Sequence, residues 1–155
     1  MEIAKITYIT LTVLTALAFA YFYLPLLQSD IGYIIIGTIW TGGSALCASW
    51  LSFNWLHPDT WGRYILCGLL CALLFHIALA VCFALHGLFV VCININEIAR
   101  KSLSENLLDL GIGITGTIGL FLLMLVKAGH YTLWLCLQTA VITKGLIWII
   151  KKVNI

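Results

Sequence analysis

Five apolar stretches, at residues 4–27, 32–55, 64–93, 107–126 and 131–150, take up most of this 155-residue chain. A helix that crosses about 30 Å of hydrocarbon needs roughly 20 apolar residues, and each stretch meets that length. Inside lipid no water is available to the backbone, so every N–H and C=O must be satisfied within the protein. That requirement selects helices or closed barrels. None of the stretches shows the period-two alternation of a barrel strand, which leaves helices. The sequence therefore predicts an all-α polytopic membrane protein. It is a single domain over residues 1–155, a bundle of about five transmembrane helices joined by short loops.

Only 9% of the residues are charged and 63% are hydrophobic, with a mean hydropathy of +1.10. Soluble domains carry about 25% charged residues. The polar sequence between the stretches is too short for a soluble catalytic domain, a nucleotide-binding loop or a nucleic-acid surface. Ala18-Phe19-Ala20 has the small-x-small form of a signal-peptide cleavage site. The apolar run passes through it to Leu27, however, and Glu2 offsets Lys5 ahead of it, so the first segment reads as a retained helix.

Net charge is +2 and implies no polyanionic partner. With five spans, Lys5, Arg63 and Lys127 fall on one side of the membrane. Arg100, Lys101, Lys151, Lys152 and a snorkelling Lys144 fall on the other. The positive-inside rule then places the N-terminus out and the C-terminus in. Few charges, short loops and no N-x-S/T acceptor fit a bacterial inner membrane protein.

Pro25 stands near the end of the first span, where it suits a terminal kink or stop. His57-Pro58-Asp59-Thr60-Trp61-Gly62-Arg63 is a firm break, with Arg63 and Asp59 placed for a local ion pair. Trp50, Trp55, Trp61 and Tyr64 gather around it, and span parity adds Tyr131 and Trp134. Tyr21, Tyr23 and Tyr33 mark the opposite interface. Ser102 followed by Glu105 has the spacing of a capping box that opens the next helix. Cys47, Cys67, Cys71, Cys82, Cys92 and Cys136 all lie within spans and none forms a C-x-x-C pair, so they read as small apolar residues.

Gly111, Thr115 and Gly119 lie one turn apart and make a small-x3-small ridge, a surface on which two helices approach closely in lipid. The same letters contain a G-x-G-x-x-G, but a dinucleotide fingerprint needs a preceding strand and an aqueous helix start. Gly37, Gly42, Gly43 and Ser44 suggest another close contact on the second helix.

Four ionisable residues form the candidate intramembrane polar site: His76, His86, Asp109 and Lys144. Such residues are costly in lipid and often functional. His76 and His86 lie about 15 Å apart along one helix. Haem ligation from both would need partner histidines at matching depths, and only His57 and His130 remain, both at turns. No cofactor or metal is expected, and each histidine reads as neutral and hydrogen-bonded between helices. Asp109 suits the first turn of its helix, and a pair with Lys144 on the same side is conceivable. Gln138, Thr139 and Thr143 can hydrogen-bond His76 or line a cavity.

No G-x-S-x-G, H-E-x-x-H or paired-carboxylate motif is present, so an enzyme is not expected. The leading functional expectation is an accessory or interaction protein that acts through helix–helix contacts in the bilayer. It would be a complex subunit or an immunity-type protein, with a membrane protein or a second copy as partner. The alternative is a small oligomeric transporter or channel with a polar path through His76, Asp109 and Lys144.

Overall fold

The computed structural model describes the backbone of residues 2–27, 31–93 and 102–153. Side chains are described there except for residues 23–27, 33 and 88–93. Within 103–128, those described are Ser104, Glu105, Leu108, Gly111, Thr115, Gly119 and Val126. Among the described residues four helices follow one another: α1 (Glu2–Leu27), α2 (Ile31–Leu56), α3 (Trp61–Ile93) and α4 (Leu103–Val153). Among the described residues all regular structure is helical. Among the described residues four segments are long and apolar enough to cross a membrane: Glu2–Phe22, Ile34–Leu56, Trp61–Gly87 and Gly129–Val153.

The first three expected spans match α1, α2 and α3 closely. The expected fourth and fifth do not separate, because α4 is one helix of 51 residues that runs through 127–130 without a break. Lys127 and Ala128 are good helix formers and the region has no proline. Gly129 alone costs only about 1 kcal/mol in a helix interior, which does not end one. Length follows directly: α4 is about 75 Å long, more than twice one crossing of the hydrocarbon.

The helices run up and down in a ring, with α1 on α2, α2 on α3, α3 on α4 and α4 back on α1. The α2–α3 turn is built by its own sequence. His57 takes φ 41°, the left-handed conformation that closes a helix, and its N–H bonds Phe53 O at 2.9 Å. Asp59 Oδ1 accepts from Thr60 N at 2.8 Å, and Thr60 Oγ1 accepts from Arg63 N to cap α3. The expected Arg63–Asp59 ion pair is present at 3.4 Å, well exposed. The expected capping box also forms: Glu105 Oε2 accepts from Ser102 N at 2.8 Å, and Ser102 Oγ accepts from Glu105 N.

The sidedness expected from five spans changes with the helix count. Lys5 lies over Trp50, and Lys144 Nζ donates to the carbonyl of Asp59 and sits over Tyr64. The start of α1, the 57–60 turn and the end of α4 therefore share one end of the bundle. Tyr131 and Trp134 do not join the aromatics around that turn. They lie toward the middle of the bundle, because Cys136 is the residue level with Gly68 and Thr132 lines a cavity with Phe75. Trp148, exposed and capped by Lys152, stands nearer that end instead.

Candidate functional site

The centre of the bundle is made of hydroxyls, thiols and alanines more than of large aliphatic side chains. Tyr8, Ser49, Ser52, Cys67, Cys71, Ala140 and Thr143 are fully or almost fully buried. Leu and Ile dominate the exposed list instead, as expected where the outer solvent is lipid. Most hydroxyls are satisfied inside their own helix, four residues back. Thr12 donates to Tyr8 O at 2.8 Å, Ser49 to Ala45 O at 2.7 Å and Thr143 to Thr139 O at 2.7 Å. Each such bond removes a donor that lipid cannot satisfy.

Five side chains tie the four helices together at one level. Tyr8 of α1 donates to Cys67 O at 3.4 Å, and Cys67 Sγ donates to Ser52 Oγ of α2 at 3.7 Å. Cys71 of α3 and Cys136 of α4 are buried in the same cluster and line one cavity. Phe53 packs on this layer, tilted against Tyr8 at 5.8 Å and edge-on to Tyr64 at 6.3 Å. The α3–α4 contact is very close: a Cβ on Gly68 would stand 2.9 Å from Cys136 O.

Above this layer a cavity of about 30 Å³ is lined from all four helices, by Thr12, Thr15, Thr41, Thr132, Thr139, Cys71 and Cys136 among others. That is room for one or two waters. Thr12, Thr15, Thr41 and Thr139 all spend their hydroxyl hydrogens on backbone carbonyls of their own helices. These four oxygens are left as acceptors.

The four candidate polar residues are not brought together. His76 is buried, at 6% exposure, and its Nδ1 bonds Ala72 O at 2.8 Å. This is a histidine held by its own helix, where a bond between helices was expected. His86 stands edge-on to Trp40 at 5.0 Å. Lys144 is at the 57–60 end. Asp109 lies on α4, and its side chain is outside the described residues. Since α4 is continuous, Asp109 and Lys144 are about 50 Å apart along one axis and cannot pair.

The ridge at Gly111, Thr115 and Gly119 is open. A Cβ added to either glycine would meet nothing within 4 Å, and the Thr115 hydroxyl donates to Gly111 O. Every described side chain of 103–128 is exposed, Val126 at 79%. On the second helix, Gly42 meets Leu17 of α1 and Ser44 is buried against Cys82, whereas Gly43 is open.

The tightest contact, at Gly68, was missed from sequence, although its signal is there. Gly68 and Ala72 on α3, and Cys136 and Ala140 on α4, are small residues one turn apart. Among the described residues no three His, Cys, Asp or Glu side chains are placed to share a metal ion. Comparison with models of protein families, with curated proteins and with solved structures finds no match.

Proposed function

We propose that this chain is a membrane-embedded interaction protein that docks a partner's helix on the first half of α4. One observation carries the reading: the continuity of α4 through 127–130. The Gly129–Val153 span already accounts for one bilayer crossing, which leaves about 39 Å of further helix in 103–128. From Leu110 to Val126 that helix has no charged residue. Its described face is exposed and carries the ridge of Gly111, Thr115 and Gly119.

A glycine ridge lets a second helix backbone approach closely, and such association is driven by close packing. The other face of this reading is chemical. Buried hydroxyls such as those of Thr12, Ser49, Thr139 and Thr143 are bonded to backbone of their own helices, as a scaffold requires.

Five of the chain's eight Lys and Arg residues (Lys5, Arg63, Lys144, Lys151 and Lys152) belong to the end that holds the 57–60 turn. By the positive-inside rule this end faces the cytoplasmic side, with α1 starting and α4 ending there. Labelling of cysteines placed at Glu2 and Lys152 checks it: both must react from the same side of an intact membrane.

The docking reading is tested by a photo-cross-linking residue at Thr115 in native membranes, compared with one at Leu73, an exposed position on α3. A discrete product from Thr115 and none from Leu73 is expected. Equal and diffuse products from both positions would refute it.

A further inference from the structure

We propose that Cys71 and Cys136 form a two-thiol site for a soft, closed-shell divalent cation that coordinates in line, with the mercuric ion as its simplest member. Three observations lead there. The two thiols are buried in one cluster at the α3–α4 interface, where a Cβ on Gly68 would stand 2.9 Å from Cys136 O. Both line the cavity of about 30 Å³, so a small ion or water reaches them without dismantling the bundle. The four threonine oxygens on the cavity wall have committed their hydrogens to backbone, so they accept hydrogen bonds from the water of an entering cation.

The ligand count and the charge select the cation. Thiolates prefer soft metals. Zinc takes four ligands in a closed site, and no group of three His, Cys, Asp or Glu ligands exists among the described residues. Cys67 does not complete a set, since it does not line the cavity. Two thiols are enough only for an ion that binds in line. Binding converts two thiols and one divalent cation into a neutral bis-thiolate and releases two protons to water. A monovalent cation would leave one net negative charge in the core. No Lys or Arg lines the cavity to offset it, and an unpaired buried charge is costly. The neutral product therefore favours the divalent ion. This inference is independent of the docking role of α4.

The test uses the full chain in lipid nanodiscs, with Cys47, Cys82 and Cys92 replaced by Ser so that only Cys67, Cys71 and Cys136 remain. Mercuric chloride is the probe, zinc chloride the comparison, and a monothiol in excess the competitor. The expected result is one mercuric ion per chain, retained against roughly 100-fold monothiol because two tethered thiols act at high effective concentration. Cys71→Ser or Cys136→Ser should each lose retention, Cys67→Ser should keep it, and zinc should not be retained. If a serine variant fails to fold, the parent still decides the matter. Proteolysis followed by mass spectrometry should recover an α3 peptide joined to an α4 peptide through mercury. Mercury held on single thiols and stripped by the monothiol would overturn the proposal. So would retention by Cys136→Ser, or recovery of Cys71 and Cys136 as a disulfide that takes no metal.

Discussion

Adding one methyl group at Gly68 probes the closest approach made at any described glycine. A Cβ there would lie 2.9 Å from Cys136 O and 3.2 Å from both Cys136 C and Leu137 Cα. All three are backbone atoms, so no rotamer change relieves the overlap. The helices must separate by about half an ångström to restore ordinary contact, near 3.5 Å between carbon atoms. That movement loosens the packing of Cys67, Cys71, Ala72, Cys136 and Ala140, which form the buried cluster at this level. Overpacking of this kind costs about 1–3 kcal/mol. The better helix propensity of alanine returns about 1 kcal/mol. Gly68→Ala should therefore destabilise by up to about 2 kcal/mol, a fall in Tm of up to roughly 8 °C for a chain of this size. Thermal unfolding followed by circular dichroism in a mild detergent measures it. Gly43→Ala is the control, because nothing lies within 4 Å of a Cβ there, and it should be neutral or slightly stabilising. If Gly68→Ala rises in Tm with Gly43→Ala, the backbones of α3 and α4 are not in contact and the reasoning fails.

Three further outcomes follow from single contacts. Lys144→Met removes the bond to Asp59 O and the cation over Tyr64, and should cost about 1 kcal/mol in the same unfolding assay; an unchanged Tm would mean that the turn is not held by α4. His57→Val forces a β-branched residue to φ 41° and should destabilise by about 1 kcal/mol, whereas His57→Gly should equal or exceed the parent in Tm. Ser102→Ala deletes the cap on α4 and should cost about 1 kcal/mol locally, read as faster amide exchange over 103–106 with no change in 129–153.

Much of the architecture could be read in advance because lipid leaves few choices. Apolar length placed α1, α2 and α3 within a few residues, and Pro58 marked the one firm turn. Ser102 and Glu105 showed where α4 begins. The break expected at 127–130 rested on a dip in hydropathy at Lys127 and His130. Hydropathy reports where a segment prefers to sit, whereas helix continuity depends on backbone breakers, and Gly129 is the only weak one there. That single error propagated to the span count, to the separation of Lys5 and Arg63 from Lys144, and to the Lys144–Asp109 pair.

The interior was harder to read for a different reason. Large apolar residues mark the core of a soluble bundle, but here they face lipid. The buried stripe is instead Ala45, Ala48, Ser49 and Ser52 on α2, with Cys67, Gly68, Cys71 and Ala72 on α3. On α4 it is Cys136, Thr139, Ala140 and Thr143. All three recur at spacings of three and four, so the pattern was available as small residues on one helix face. His76 drew attention as a rare ionisable group, yet its bond to Ala72 O makes it part of α3's own structure.

The most direct test of the docking role is native mass spectrometry of the chain released from lipid nanodiscs, parent against a Gly111→Leu, Gly119→Leu double variant. The ridge account predicts a discrete complex of fixed stoichiometry for the parent, with a second copy or another membrane polypeptide, and a bare chain for the variant. A bare chain for the parent, or a complex that survives the double substitution unchanged, would contradict it.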